Sequence, residues 1–175
     1  MLDFLKQFIL HPRSIGAIVP SSKSLAEAML DPIDFARAEH IVELGPGTGA
    51  VTKSILRRMG KNATLTVVEL NPDFCTMLSA IDDHRLTIVN GDARSLSSTV
   101  KKADYIISSL PLNTLNDEDR SRIIHEIKST VKHSYIQFHY SPFGEKYLKE
   151  NFKVTKKFVL KNIPPAIVYT ASLLH

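Results

Sequence analysis

Apolar residues in this chain form short runs separated by amphipathic stretches. Short runs with few polar interruptions indicate strands that are buried on both faces. These runs are His40–Leu44, Thr64–Leu70, Leu86–Asn90, Tyr105–Leu110 and Tyr135–Tyr140. Helical spacing lies between them, at Val51–Met59, Pro72–Ile81, Leu96–Lys101 and Glu118–Val131. The alternation predicts an α/β fold, with a mostly parallel sheet covered by helices on both faces.

The chain after the fifth run follows a different pattern. Phe143–Asn151 is compatible with a short helix. Lys153–Leu160 and Ile167–Leu174 then read as two strands joined by Asn162-Ile163-Pro164-Pro165. Two strands with a short connection form an antiparallel hairpin. We therefore predict a Rossmann-like sheet of seven strands with an antiparallel C-terminal edge strand.

Residues 1–34 precede the first predicted strand, and we interpret them as an N-terminal helical cap. Leu2, Leu5, Phe8 and Ile9 have the spacing of one apolar helix face. Such a helix either packs on its own domain or lies in a membrane interface, and the sequence leaves both possibilities open. Because no repeat or low-complexity linker interrupts the chain, we predict one domain covering residues 1–175.

Composition narrows the environment and the partners. The chain has 22 Lys and Arg residues and 18 Asp and Glu residues, a net charge of +4. This excess is weak support for an anionic partner and fits a solvated surface equally well. No apolar run reaches the ~20 residues of a membrane span, and the N-terminus lacks a signal-peptide layout, so we expect a cytoplasmic protein. The seven histidines and Cys75 lack ligand-like spacing, and no metal site is expected.

A glycine-rich loop follows the first predicted strand. Glu43-Leu44 leads into Gly45-Pro46-Gly47-Thr48-Gly49, directly before a helical stretch. Glycine permits positive φ angles in a sharp turn and lets a ligand approach the backbone closely. In an open α/β sheet, ligands bind outside the carboxyl ends of the strands, where this loop lies. Glu43 at the mouth of the loop can meet the ammonium group of a methionine moiety, directly or through water.

Acidic residues also end the second and third predicted strands. Glu69, 22 residues after the central glycine, can accept hydrogen bonds from both hydroxyls of a ribose, with Leu70 beside it. Asp92 can accept from the amino group of an adenine, with the Ala93 amide facing the ring. Three successive strand ends with suitable groups predict the cofactor S-adenosyl-L-methionine and a class I methyltransferase.

A dinucleotide site is the main alternative for this loop. The glycines together with Ala50 also satisfy G-x-G-x-x-A, and Glu69 would serve NAD equally well. Glu43, the third glycine and Asp92 favour S-adenosylmethionine instead. The chain is also short for a dehydrogenase, which usually has a second domain.

The loop after the fourth predicted strand shapes the acceptor site in this fold. It reads Ser109-Leu110-Pro111-Leu112, and Ser109 is expected beside the cofactor. Methyltransferases that act on amino groups of bases often have Asn or Asp first in this loop and an aromatic residue last, which stacks on the base. Leu112 removes that stacking, which disfavours an rRNA adenine methyltransferase.

Four segments together resemble the bacterial phospholipid N-methyltransferases, class I enzymes that convert phosphatidylethanolamine stepwise towards phosphatidylcholine. The segments cover nearly the whole chain. They are Phe4 to Ser22 with His11-Pro12-Arg13 and Pro20-Ser21-Ser22, the Glu43–Gly49 loop, Ser109–Leu112 followed by Gln137-Phe138-His139-Tyr140-Ser141-Pro142, and Lys161-Asn162-Ile163-Pro164-Pro165-Ala166. The chain departs from the family at His139, where Thr is common, and in a shorter region between Pro142 and Phe152.

The resemblance implies an acceptor site for an amine. Tyr140 and His139 are the candidate catalytic residues, placed to orient the amine or pass its proton to water. The phosphate of a head group needs donors, which a basic side chain and a helix start can provide. The candidate substrate-binding residues are Arg13, Ser21, Ser22, Leu110, Pro111 and Tyr140.

The resemblance also implies a lipid substrate at a membrane surface. Residues 1–10 would act as a surface helix on anionic phospholipids, and the protein would be peripheral at the inner membrane face. Nucleic acid is not an expected partner. The alternatives are an enzyme like the rRNA adenine N6-methyltransferases and a small-molecule amine methyltransferase. The oligomeric state and the number of methyl groups transferred stay open.

Overall fold

A computed structural model describes residues 23–174 of the chain, so the predicted N-terminal helix, Arg13, Ser21 and Ser22 lie outside the described residues. Seven strands form one sheet in the order β3-β2-β1-β4-β5-β7-β6. They are β1 (His40–Leu44), β2 (Thr64–Glu69), β3 (Leu86–Asn90), β4 (Ala103–Ser108), β5 (Val131–His139), β6 (Phe152–Val159) and β7 (Ala166–Leu173). Strands β1 to β5 are parallel, and β7 is antiparallel to both neighbours. The predicted fold class is confirmed.

Helices cover both faces of the sheet, as predicted. They are α1 (Lys23–Leu30), α2 (Ala50–Arg58), α3 (Pro72–Leu78), α4 (Leu96–Thr99), α5 (Asp117–Thr130) and α6 (Glu145–Lys149). The first three pack on one face through residues such as Leu25 and Ile55, and the last three pack on the other through residues such as Leu96 and Ile127. Central strands therefore contribute buried side chains to two apolar layers, which explains their nearly continuous apolar runs.

Side-chain caps fix two of the helix starts. The Asn71 side chain accepts a hydrogen bond from the Asp73 amide at 2.8 Å, with Pro72 as the first residue of α3. Asn116 caps α5 by accepting from the Asp119 amide at 2.7 Å. Both caps confirm the predicted starts, since Asn and a first-turn Pro suit these positions. In the described part of the chain, none of the helices has the length and apolar character that a membrane crossing requires.

The C-terminal hairpin is present, but its antiparallel strand is not the edge of the sheet. Strand β7 lies between β5 and β6, so β6 forms the edge. Strand β6 therefore runs in the same direction as β5. As a result, the β6–β7 turn lies at the same end of the sheet as the carboxyl ends of β1 to β5.

Strand β5 begins at Val131, four residues before the predicted start at Tyr135. Lys132 and His133 are exposed and interrupt the apolar run, so the sequence pattern did not predict this part of the strand. The pairing with β4 is also irregular between Ala103 and Tyr105. Such an irregularity re-aims side chains without ending the strand.

Candidate active site

A pocket opens at the carboxyl ends of β1 to β4. It encloses about 720 Å³ of empty space, including the part that is open to solvent. The predicted site residues in its wall are Gly45, Gly47, Glu69, Leu70, Asp92, Ala93, Ser109, Leu110 and Pro111. Three successive strand ends thus face one cavity, as the sequence predicted.

Backbone hydrogen bonds continue past the strand ends and hold the loops of this pocket. The Gly45 amide donates to the Val68 carbonyl at 2.9 Å, and the Ser109 amide donates to the Leu44 carbonyl at 3.0 Å. The Gly91 amide donates to the Glu69 carbonyl at 3.0 Å. The loops are therefore extensions of the sheet ladder, and the pocket wall is preorganised by backbone geometry.

The glycine loop adopts the backbone that its sequence predicts. Gly45 and Gly47 have φ angles of 68° and 55°, in the left-handed region that disfavours side chains. A Cβ built on Gly47 meets no described atom within 4 Å, so this glycine faces free space where a ligand can approach. Thr48 is exposed and Gly49 is buried, and neither lines the pocket.

Glu69 is held at the pocket wall by two backbone amides. Its Oε2 accepts from the Gly47 amide at 3.1 Å and its Oε1 accepts from the Asn71 amide at 2.9 Å. Only 4% of the residue is exposed, and this burial raises the pKa of the carboxyl against the opposing effect of the two amides. Each oxygen keeps a second lone pair, so the carboxylate can still accept from two hydroxyl groups.

Glu43 lies beneath the glycine loop and is fully buried. Thr52 donates its hydroxyl to Oε2 at 2.6 Å, whereas Oε1 is buried without a hydrogen-bond partner among the described residues. Burial raises the pKa of this carboxyl to about 7. An unsatisfied buried carboxylate oxygen is costly. A cationic group or an ordered water that reaches Oε1 would offset that cost.

Asp92 reaches the pocket with its carboxylate already paired. It accepts from the Arg94 amide at 2.8 Å and from the Arg94 guanidinium at 2.6 Å, and Arg94 also donates to Asp119 at 2.8 Å. Burial opposes ionisation, but the hydrogen bonds from Arg94 outweigh it and lower the Asp92 pKa. The ion-pair network connects the β3 loop to the first turn of α5, which carries Asp119.

The β4 loop places its four residues in different environments. Ser109, Leu110 and Pro111 line the pocket. Leu112 is fully buried in the core between the sheet and α5, and it cannot stack on an acceptor base. The Gln137 side chain donates to the Leu110 carbonyl at 3.1 Å and so fixes the loop to β5.

His139 is the last residue of β5 and Tyr140 follows it directly, and their side chains have different surroundings. Tyr140 is 41% exposed, contacts the Phe138 ring edge-on and shares a hydrogen bond with the Asn162 side chain. His139 is buried, and its Nε2 lies 2.7 Å from the Tyr147 hydroxyl.

The surroundings of His139 do not favour the predicted contact with an acceptor. Burial lowers its pKa to about 4, which keeps the imidazole neutral near pH 7. The residue is not part of the pocket wall that the described residues form. Tyr140 is not part of that wall either, but its side chain is 41% exposed at the carboxyl end of β5. Exposure therefore favours Tyr140 over His139 as the residue that can meet an acceptor, and His139 has a place in the supporting structure.

Besides Val68 near the end of β2, three apolar residues of the pocket wall were missed by the sequence reasoning. They are Phe74 in the first turn of α3, and Leu115 and Ile123 at the start and on the inner side of α5. Phe74 follows the capping Asn71 by three residues, so its position in the first turn of a helix at a strand end was the available signal. An aromatic wall beside Asp92 and Ala93 suits the flat face of an adenine.

Comparison with known proteins gives a consistent picture. The model of the family described as "Methyltransferase domain" matches residues 41–134. An N-methyltransferase, NodS from Bradyrhizobium japonicum WM9, solved in complex with S-adenosyl-L-homocysteine, shares the fold with a TM-score of 0.77 at 12% identity, over 99% of this chain and 98% of that chain.

Two kinds of curated relatives differ in how much of the chain they match. An ornithine lipid N-methyltransferase from Singulisphaera acidiphila is 29% identical over 180 residues, covering 95% of this chain and 92% of the relative. Ribosomal RNA small subunit methyltransferase A from Mycoplasma mycoides is 33% identical over 97 residues, covering 54% of this chain and 35% of the relative. The lipid-enzyme match thus extends over both halves of the sheet.

Proposed function

Because this chain belongs to the methyltransferase-domain family and is an S-adenosyl-L-methionine-dependent methyltransferase, we propose that it methylates the amine of a membrane-lipid head group. The proposed acceptors are phosphatidylethanolamine and its methylated forms. One observation carries the proposal: the similarity to an ornithine lipid N-methyltransferase extends over 95% of the chain. It therefore includes the acceptor half of the sheet, which consists of β4 to β7 and their loops.

The strand-end groups have separate proposed roles towards the cofactor. When bound, the cofactor supplies an electrophilic methyl group on a sulfonium. Glu69 accepts from the two ribose hydroxyls, and Asp92 with the Ala93 amide recognises the adenine edge. Glu43 is buried below the loop, so we assign its Oε1 to the methionine ammonium through an intervening water.

The acceptor residues have to align and desolvate a neutral amine. Transfer forms a bond between the amine nitrogen and the methyl carbon while the carbon–sulfur bond breaks, so alignment supplies much of the rate. We assign the Tyr140 hydroxyl to orienting the amine, and its aromatic face can hold the methylated ammonium product. Ser109, Leu110 and Pro111 form the pocket wall after β4.

Leu112 supports a lipid acceptor over a nucleic-acid base. Enzymes that act on a base often have an aromatic side chain at this position for stacking, and here the side chain is aliphatic and fully buried. A head-group amine needs no stacking partner. Peripheral membrane association is part of the same proposal, because a lipid that stays in its bilayer must meet the pocket at the membrane surface.

A methyl-transfer assay tests the proposal directly. The full chain is incubated with S-adenosylmethionine carrying a labelled methyl group and, in parallel, phosphatidylethanolamine, its monomethyl and dimethyl forms, an ornithine lipid, or small-subunit rRNA. We expect label in the lipid extract. Glu69→Gln serves as the inactive control, since it removes one carboxylate oxygen from the pocket wall. Label that enters RNA and no lipid would overturn the proposal.

A further inference from the structure

The β6–β7 hairpin exposes apolar side chains at its tip. Phe158, Leu160 and Ile163 are 60%, 76% and 82% exposed. Single exposed apolar residues are common on soluble proteins, but a cluster within six residues marks a surface that meets another phase or partner. None of these three side chains belongs to the two buried apolar layers, although Val159 between them packs into one layer and anchors the hairpin.

The register of the sheet places this tip beside the acceptor half of the pocket. Phe158 pairs with Ile167, and Ile167 pairs with His139. Two strand spacings of ~4.8 Å put Phe158 about 10 Å from the end of β5. The turn also touches the candidate acceptor residue directly, through the hydrogen bond between Asn162 and Tyr140.

The charged residues of the hairpin are all basic. No acidic residue follows Glu150 in the sequence, whereas Lys156, Lys157 and Lys161 flank the apolar tip. Lys156 and Lys157 reach to opposite sides of the sheet, where they pair with Glu145 and Asp31 at 2.8 and 2.5 Å. Lys161 is exposed in the turn. The exposed Lys161 and the 60% exposed side chain of Lys157 lie next to the apolar tip. This combination fits an anionic lipid surface, because the apolar side chains can insert while the ammonium groups stay near the phosphates.

A second copy of the chain fits this surface less well. Two such hairpins would bring lysines against lysines, and like charges oppose association. Lysines on an edge strand are also a common means of preventing edge-to-edge pairing. An anionic bilayer can interact with the exposed apolar side chains and with the lysines at the same time.

We propose that the β6–β7 tip, with Phe158, Leu160 and Ile163, inserts into an anionic bilayer and thereby brings lipid head groups to Tyr140. This inference extends the proposed lipid methylation and rests on it, because docking on a bilayer serves the enzyme only if its acceptor is a membrane lipid. It adds a membrane-contact site within the described residues, separate from the N-terminal segment.

Tryptophan fluorescence tests the insertion. The chain contains no tryptophan, so Ile163→Trp introduces a unique probe at the tip. With vesicles of phosphatidylethanolamine and phosphatidylglycerol we expect a blue shift of the emission and quenching by bromine on shallow acyl carbons. Met77→Trp is the matched control, because Met77 is 55% exposed on α3, which packs on β2 and β3 at the other side of the sheet. Its emission should not shift.

Three fluorescence results and one sedimentation result would overturn the inference. Equal shifts at both positions would remove the specific role of the tip. An absence of any shift would mean that the tip stays in water. If the Ile163→Trp emission is already blue-shifted without vesicles, another part of the chain covers the tip of the hairpin. A dimer in sedimentation velocity that Leu160→Ser with Ile163→Ser dissociates would assign the tip to a second copy.

An activity comparison separates this inference from the proposed function. The double variant Leu160→Ser, Ile163→Ser should bind the same vesicles roughly tenfold more weakly, since two apolar side chains no longer leave water. Methyl transfer to vesicle lipid should fall in parallel, while transfer to a dispersed short-chain phosphatidylethanolamine stays unchanged. Equal activity on vesicles would overturn the docking role. A wild-type chain that methylates neither form of the lipid would overturn the proposed function instead.

Discussion

The two halves of the sheet build their parts of the pocket by different means. In the cofactor half, β1 to β3, backbone amides a few residues from the strand ends hold Glu69, and the neighbouring Thr52 holds Glu43. In the acceptor half, β4 to β7, a side chain holds the loop instead, through the hydrogen bond from the Gln137 amide to the Leu110 carbonyl. Backbone amides thus fix the main carboxylate of the cofactor half, whereas a side-chain amide fixes the loop of the acceptor half.

The largest expected effect tests the backbone basis of the cofactor half. Gly47→Ala should weaken binding of S-adenosylhomocysteine about 100-fold, because the left-handed φ penalises a side chain and the new methyl group enters the ligand space. Isothermal titration calorimetry measures the loss. Gly60→Ala is the matched control, since neither glycine has a described atom within 4 Å of a built Cβ and only Gly47 has a positive φ. A loss of threefold or less at Gly47 would contradict the prediction.

The next effect tests the acceptor half. Tyr140→Phe should lower kcat for the lipid acceptor by roughly 10- to 100-fold through loss of the orienting hydroxyl, and leave cofactor affinity unchanged. Tyr105→Phe is a suitable control, because its hydroxyl bonds the Asp34 amide on the same sheet, away from the pocket. If Tyr140→Phe reduced cofactor binding and turnover together, Tyr140 would be a structural residue.

A pH titration sharpens the role of Glu43. Its pKa is about 7 without ligand, and a cationic ligand lowers it by favouring the carboxylate. Binding therefore releases a proton below pH 7, and affinity should fall by up to about tenfold per unit as the pH drops further. Above pH 7 this residue contributes no pH dependence. Calorimetry in two buffers of different ionisation enthalpy counts the protons, and Glu43→Gln should remove the release.

The smallest expected effect concerns the link between the two halves. Arg94→Gln removes the ion pair that positions Asp92 and should weaken S-adenosylhomocysteine binding about fivefold, the range of a partly exposed charge-assisted hydrogen bond. S-inosylhomocysteine, which lacks the adenine amino group, should bind the variant and the wild type alike. Arg57→Gln, on the outer side of α2, is the control for removal of a charge. Equal losses for both ligands would show that Arg94 acts on the pocket as a whole.

The sequence predicted the cofactor half well because its signals are local. The glycine loop, Glu69 and Asp92 each follow a short apolar run directly, and the parallel order of strands brings such positions together. The acceptor half was harder to predict, since the orientation of His139 and Tyr140 depends on the register of β5 and on Tyr147 and Asn162. Phe74 was missed for the same reason, because its role depends on a pocket that three other segments complete.

The insertion of β7 between β5 and β6 has a consequence for biosynthesis. The ribosome releases β6 before β7, yet within residues 23–174 β6 has no neighbour in the sheet other than β7. The finished strands β1 to β5 can associate while β6 waits unpaired, which delays completion of the acceptor side until the last strand leaves the exit tunnel. A premature stop before residue 166 would accordingly remove β7, leave β6 without its partner and open the β6–β7 turn.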